Sequence, residues 1–130
     1  MATCLVIDDA SFDRKKLSTG IAKLGVTVHE AVDADEAISF CSKTMPDCVF
    51  IDWEMPGMKG IELLEVLRGM EGGENAFMVM CTSNDHPSFV GRAYIKGANK
   101  YIKKPVTMET LEQTLKEAKI LGDGGNAASV

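Results

Sequence analysis

The sequence predicts an α/β fold: a doubly wound, five-stranded parallel sheet with five helices on both faces. Three observations carry this reading. Short apolar runs alternate with helix-like stretches five times along 130 residues, as repeated strand–helix–strand units require. Runs such as Cys48-Val49-Phe50-Ile51-Asp52 are continuously apolar rather than alternating, the pattern of a strand covered on both faces. Five units are too few for the closed barrel, which needs about eight.

The elements follow in order. Thr3 to Ile7 is the first apolar β-type run, and it stops at Asp8-Asp9. Ser11 can cap the next helix, with Asp13 favourable in its first turn. Leu17, Ile21 and Leu24 recur at helical spacing, and Gly25 ends the helix. Val26 to Val28 reads as a short second strand. Asp33 and Glu36 form a start resembling a capping box. Ala37, Ile38 and Cys41 then give an apolar helical face, closed by Pro46. The third strand, Cys48 to Asp52, runs straight into a carboxylate and then into turn residues.

Ile61, Leu64 and Leu67 mark the third helix, and Gly69 to Ala76 is a glycine- and glutamate-rich loop. Phe77 to Cys81 is a fourth buried strand ending at Thr82-Ser83. Pro87 to Lys96 is a weaker helix, since Gly91 in its interior costs about 1 kcal/mol relative to alanine, and Gly97 ends it. Lys100 to Lys103 interleaves lysines in the manner of a protected sheet edge. Thr107 caps the last helix, where Met108, Leu111, Leu115 and Ala118 share a face. Residues 2–121 thus make one domain, and 122–130 read as a flexible tail.

Bulk properties exclude some functions. The net charge is -5, which disfavours a nonspecific grip on nucleic acid phosphates. No apolar run approaches a membrane span, and the N-terminus lacks a basic stretch followed by an apolar core, so a cytoplasmic protein is expected. Cys4, Cys41, Cys48 and Cys81 have no CxxC spacing, and three of them sit in strand-like runs. They read as buried free thiols in a reducing compartment rather than metal ligands.

Chemistry gathers at the carboxyl ends of strands in open α/β sheets. Here those ends carry Asp8-Asp9, Asp52 and Thr82, and a fourth is followed by Lys104. Packed carboxylates repel one another. A divalent cation resolves this, and magnesium suits one or two carboxylates with water and phosphate completing the shell. Acids, a hydroxyl and an ammonium together fit phosphoryl transfer, and a carboxylate such as Asp52 can itself be the nucleophile.

The chain resembles the receiver domain of two-component response regulators, close to the stand-alone chemotaxis-type members. The motifs are Val6-Ile7-Asp8-Asp9, Ile51-Asp52-Trp53-Glu54-Met55-Pro56-Gly57-Met58, Cys81-Thr82-Ser83, Gly97-Ala98-Asn99-Lys100-Tyr101 and Lys104-Pro105. The resemblance implies a flavodoxin-like sheet of order 2-1-3-4-5. It implies Asp52 as phosphoacceptor, and Mg2+ held by Asp9, Asp52 and the Glu54 backbone carbonyl, with Asp8 acting largely through water. It implies Thr82 as the switch hydroxyl, Lys104 as the phosphoryl-pairing lysine before a cis peptide bond to Pro105, and Tyr101 as the aromatic switch. A sensor histidine kinase or a histidine phosphotransfer protein would supply the phosphoryl group. A downstream protein would read the face made by the fourth helix, fifth strand and fifth helix. Lys59 departs from the aspartate common in the family. In the family the places of Glu54 and Asn84 border the path of the hydrolytic water, so the resemblance implies that they tune the lifetime of the acyl phosphate.

Output without an effector domain is partner binding or onward relay of the phosphoryl group; a receiver-like module that is never phosphorylated is a further reading. A phosphatase with an aspartate nucleophile normally has a second aspartate two residues on. Glu54 stands there, so the chain is expected to be no enzyme beyond its own phosphorylation and dephosphorylation. His29 and His86 read as structural or exposed, with His86 close enough to the site loops to touch a partner. Met55 and Met58 read as core and loop filling.

Overall fold

A computed structural model describes residues 2–84 and 86–122 of the chain. The elements are β1 (Thr3–Ile7), α1 (Ser11–Lys23), β2 (Thr27–Ala31), α2 (Ala34–Lys43), β3 (Cys48–Asp52), α3 (Gly60–Arg68), β4 (Phe77–Thr82), α4 (Pro87–Lys96), β5 (Lys100–Lys103) and α5 (Met108–Glu117). The strands form one sheet in the order β2-β1-β3-β4-β5, with every neighbouring pair parallel. The order reverses direction between β1 and β3, which is where an open sheet leaves a crevice for ligands.

Alternation of side chains along each strand splits the core into two layers. Leu5, Ile7, Val49, Ile51, Met78 and Met80 pack with α2, α3 and α4 residues such as Ala37, Leu64 and Ala93. Cys4, Val6, Phe50, Val79 and Cys81 face the other way, onto Ile21 of α1 and Leu111 and Leu115 of α5. Every residue of β3 is buried, as its unbroken apolar run predicts. Gly20 lets α1 and α5 meet: a Cβ there would lie 2.9 Å from Leu111 Cδ2 and 3.0 Å from Met108 Sδ.

Two local expectations are corrected. Ser11 does not cap α1; it is already the first helical residue, and the cap position is Ala10. Asp8 Oδ1 instead accepts from the Ala10 N–H at 2.9 Å, so the strand-end carboxylate orders the turn into the helix. The second strand is Thr27–Ala31 rather than Val26 to Val28. It is an edge strand with an alternating pattern of exposure, so its polar residues His29 and Glu30 belong to the ladder. The predicted start of α2 stands: Asp33 Oδ1 accepts from Glu36 N, while the Glu36 side chain reaches back to Val32 N.

The Gly69-to-Ala76 loop is held by Arg68. Its guanidinium donates to the carbonyls of Gly73 and Ala76, both at 2.7 Å, to the Gly97 carbonyl at 2.6 and 2.9 Å, and to Asn99 Oδ1 at 2.6 Å. One fork thereby ties the loop to the α4–β5 junction. His86 is the N-cap of α4, where its Nδ1 accepts from Ser88 N. Met55 is buried and Met58 packs against the same layer. All four cysteines are free and buried. Residues 123–130 of the expected tail lie outside the described residues.

Candidate functional site

β1 and β3 are register neighbours, with Ile7 beside Ile51, so Asp8 and Asp52 leave the sheet side by side. Asp9 follows on the loop into α1. One carboxylate oxygen from each of Asp8, Asp9 and Asp52 lies within 4.8 Å of the others. Asp8 and Asp52 are buried, and Asp9 is exposed. Lys104 comes from the loop after β5, where its N–H donates to the Thr82 carbonyl at 2.8 Å and its bond to Pro105 is cis. Its ammonium stands 2.9 Å from Asp8 Oδ2, 3.1 Å from Asp52 Oδ1 and 3.4 Å from Asp13 Oδ2. Asp8 thus serves twice: one oxygen organises the start of α1 and the other meets Lys104.

The electrostatics follow from burial. Desolvation pushes the Asp52 carboxyl up to about 6; Lys104 opposes the shift and the Asp8 charge adds to it. Burial works to lower the pKa of Lys104, but the bonds and charges of Asp8 and Asp52 outweigh it and hold the ammonium above the usual lysine range. Burial pushes the thiol of Cys81, the register partner of Asp52, up to about 12, so it stays a neutral wall of the site.

Asp8, Asp9, Asp13 and Asp52 outnumber the single ammonium of Lys104. The donors are all hard oxygens, and they include a buried pair. Such a set fits a small divalent cation that keeps much of its water. Asp8, Asp9 and Asp52 are the carboxylates that could hold it. The loop after β3 is fixed closely: Gly60 N donates to the Trp53 carbonyl at 2.9 Å. A Cβ at Gly60 would overlap the Asp52 carbonyl oxygen and approach Trp53 Cα to 2.8 Å. A side chain at position 60 would therefore displace the backbone carrying Asp52.

Thr82 is buried at the end of β4, and its Oγ1 accepts from Asn84 N at 3.1 Å. Asn84 Oδ1 in turn accepts from His86 N at 2.9 Å. Successive side chain-to-backbone bonds thus link the Thr82 hydroxyl to the cap of α4. Tyr101 is half-buried on β5, packs against the α2–α3–α4 layer, and has its hydroxyl oxygen buried. A cleft of about 1020 Å3 opens beside the carboxylates and runs along the α1–α5 seam past Phe12, Lys16, Gly20 and Met108.

The predicted residues Asp8, Asp9, Asp52 and Lys104 are therefore brought together, with Thr82 at the neighbouring strand end and Tyr101 further along the edge strand. Sequence reasoning missed the pairing of Asp13 with Lys104, and also a stack on the far side of the loop. Trp53, the residue after Asp52, stacks on Phe89 of α4 at 5.1 Å, with the Arg92 guanidinium 5.9 Å from its ring centre. Aromatics at positions 53 and 89 are visible in the sequence, but only the fold makes them neighbours.

The structure defines a doubly wound α/β domain with acids and a lysine gathered at the carboxyl edge of its parallel sheet, and comparison with known proteins identifies the family. Residues 4–116 match the response regulator receiver domain, and the chain belongs to that family. It is 34% identical over 126 residues to a chemotaxis protein CheY homolog of Campylobacter jejuni, covering 95% of this chain and 97% of that one. It is 35% identical over 112 residues to the chemotaxis protein CheY-3 of Vibrio cholerae, covering 85% and 86%. Among solved structures, Vibrio cholerae CheY4 superposes with a TM-score of 0.86 at 29% identity, covering 91% of this chain and 98% of that one. Membership makes the chain a phosphoryl-accepting signalling module. No helix among the described residues is long and apolar enough to cross a membrane.

Proposed function

We propose that the chain is a response regulator receiver whose Asp52 accepts a phosphoryl group from the phosphohistidine of a sensor kinase or a histidine phosphotransfer protein. The observation that carries this is the lysine at 2.9 Å from Asp8 and 3.1 Å from Asp52, with both carboxylates buried. Asp9, Asp52 and the Glu54 carbonyl would hold Mg2+, with Asp8 acting largely through water. The bound cation supplies charge neutralisation for the phosphoryl oxygens.

An Asp52 carboxylate oxygen forms the bond to phosphorus as the bond from phosphorus to the donor nitrogen breaks, and the imidazole leaves with that electron pair. Lys104 pairs with a phosphoryl oxygen and holds it in place. The charge gained at Asp52 draws the Thr82 hydroxyl away from Asn84 N, and the space Thr82 leaves favours the inward position of Tyr101. Each linkage below Thr82, from Asn84 to the His86 cap, then changes the start of α4. The face of α4, β5 and α5 changes affinity for a downstream protein by the difference in its interaction with the two states. Free buried thiols suit a reducing cytoplasm.

The test is intact-protein mass after incubation with Mg2+ and acetyl phosphate, for wild type and Asp52→Asn. One phosphoryl group on wild type alone, abolished by a chelator, supports the reading. No gain on wild type from acetyl phosphate or from a phosphorylated histidine protein contradicts it and favours a module that works unphosphorylated.

A further inference from the structure

Asp13 has no part in the mechanism above, yet its carboxylate stands at the mouth of the site. It lies in the first turn of α1, where the helix dipole alone would favour an acid. The dipole does not explain why Asp13 Oδ2 turns to Lys104 Nζ, 3.4 Å away and 91 residues on in the chain. Two neighbouring cations of α1, Arg14 and Lys15, are directed elsewhere. Arg14 donates to Glu30 and to the Asp8 carbonyl, and Lys15 donates to Glu30. Of the three carboxylates on the Lys104 ammonium, Asp13 is the most distant and the most exposed, with 46% of its side chain accessible against 6% for Asp8 and 7% for Asp52.

We propose that Asp13 is a specificity-determining residue for phosphoryl transfer, a charged sill that holds Lys104 and disfavours multiply charged small phosphodonors relative to less charged ones. This rests on Asp52 being the acceptor. A Lys ammonium has three N–H donors, and all three face carboxylates. A phosphoryl oxygen arriving at Lys104 must displace one of them, and the half-exposed Asp13 is the one whose release costs least. Until it yields, its charge repels the donor in proportion to the donor's own charge. A unit charge about 6 Å from a dianion in a water-like dielectric changes a rate ~10-fold, and from a monoanion ~3-fold. Both effects shrink as salt shortens the Debye length from about 8 Å at physiological ionic strength to about 3 Å at 1 M.

Two small donors separate charge from chemistry. Acetyl phosphate is a dianion at pH 7; as Asp52 bonds to phosphorus, its P–O bond breaks and acetate departs with the electron pair. Phosphoramidate is a net monoanion whose nitrogen is already protonated; its P–N bond breaks and ammonia departs. The experiment follows the rate of mass gain for wild type, Asp13→Asn and Asp13→Glu at saturating Mg2+, with each donor, at low ionic strength and in 1 M salt. Asp13→Asn should be ~10-fold faster than wild type with acetyl phosphate and ~3-fold faster with phosphoramidate at low salt, both gains falling below about 2-fold in 1 M salt. Asp13→Glu should stay close to wild type.

An equal change with both donors, a slower Asp13→Asn, or a gain that salt leaves untouched would overturn the proposal and leave Asp13 as a helix-start residue only. In those cases wild type is still labelled, so the Asp52 reading survives. Failure of wild type to be labelled by either donor would overturn both.

Discussion

Replacing Asp52 by asparagine should make the metal-free protein more stable at neutral pH. Burial raises the Asp52 carboxyl from 3.8 to about 6, so the fold disfavours its charged form. A group whose folded pKa lies above its unfolded value contributes fully to stability below the unfolded pKa, and that contribution is lost as pH rises through the folded one. The loss therefore runs from about pH 4 to just above pH 6. Two units at 1.36 kcal/mol each set a ceiling of roughly 3 kcal/mol. Asparagine keeps a side-chain oxygen to accept from Lys104 Nζ and the Glu54 N–H, which donate to Asp52 Oδ1 at 3.1 and 3.4 Å, but it forfeits part of the attraction to Lys104. A net gain of about 1–2 kcal/mol follows, or roughly 3–8 °C in Tm for a domain of this size. Urea unfolding in a chelator at pH 7.5 and pH 4.5 measures it, and the gap between variant and wild type should close at the lower pH, where folded Asp52 is itself mostly neutral. A less stable Asp52→Asn at pH 7.5, or a gap that does not change with pH, would refute the reasoning.

Further outcomes are expected. Mg2+ should raise the Tm of wild type, by about 2.7 kcal/mol of stability at a hundred times the Kd; Asp9→Asn should respond far less, and the fluorescence of Trp53 beside Asp52 offers a second readout. Lys104→Ala leaves the buried Asp8 and Asp52 without their shared cation; it should cost about 2–4 kcal/mol in urea unfolding and move the Asp52 carboxyl above about 6 in an NMR titration. Arg68→Ala removes the fork that joins Gly73, Ala76, Gly97 and Asn99; it should cost about 2–3 kcal/mol, and Arg68→Lys should recover less than half of that because an ammonium cannot reproduce the fork.

Much of the fold is legible because its central strands are buried on both faces, and continuous apolar runs such as Cys48 to Asp52 report that directly. β2 is less legible for the opposite reason. At the sheet edge it exposes one face, so His29 and Glu30 interrupt the apolar run while still pairing with Leu5 and Val6. The start of α1 misleads because a plausible cap, Ser11, stands next to a better-placed acceptor, Asp8, which only the bend after β1 brings to Ala10 N. The convergence of Asp8, Asp9, Asp52 and Lys104 can be read from strand ends, since parallel strands deliver their carboxyl ends to one edge. The Asp13–Lys104 contact, the Arg68 fork and the Trp53–Phe89 stack cannot. Each depends on where a helix face or a loop settles over the sheet, and no local spacing encodes that.

The most direct test is to find where the phosphoryl group sits. Protein labelled with acetyl phosphate and Mg2+ is reduced with borohydride, which converts an aspartyl phosphate to homoserine, and the peptides spanning Val6 to Asp9 and Ile51 to Met58 are sequenced by mass spectrometry. Homoserine at position 52, absent without Mg2+, is the predicted result. Homoserine at Asp8 or Asp9 instead, or at no aspartate in labelled protein, would contradict Asp52 as the acceptor.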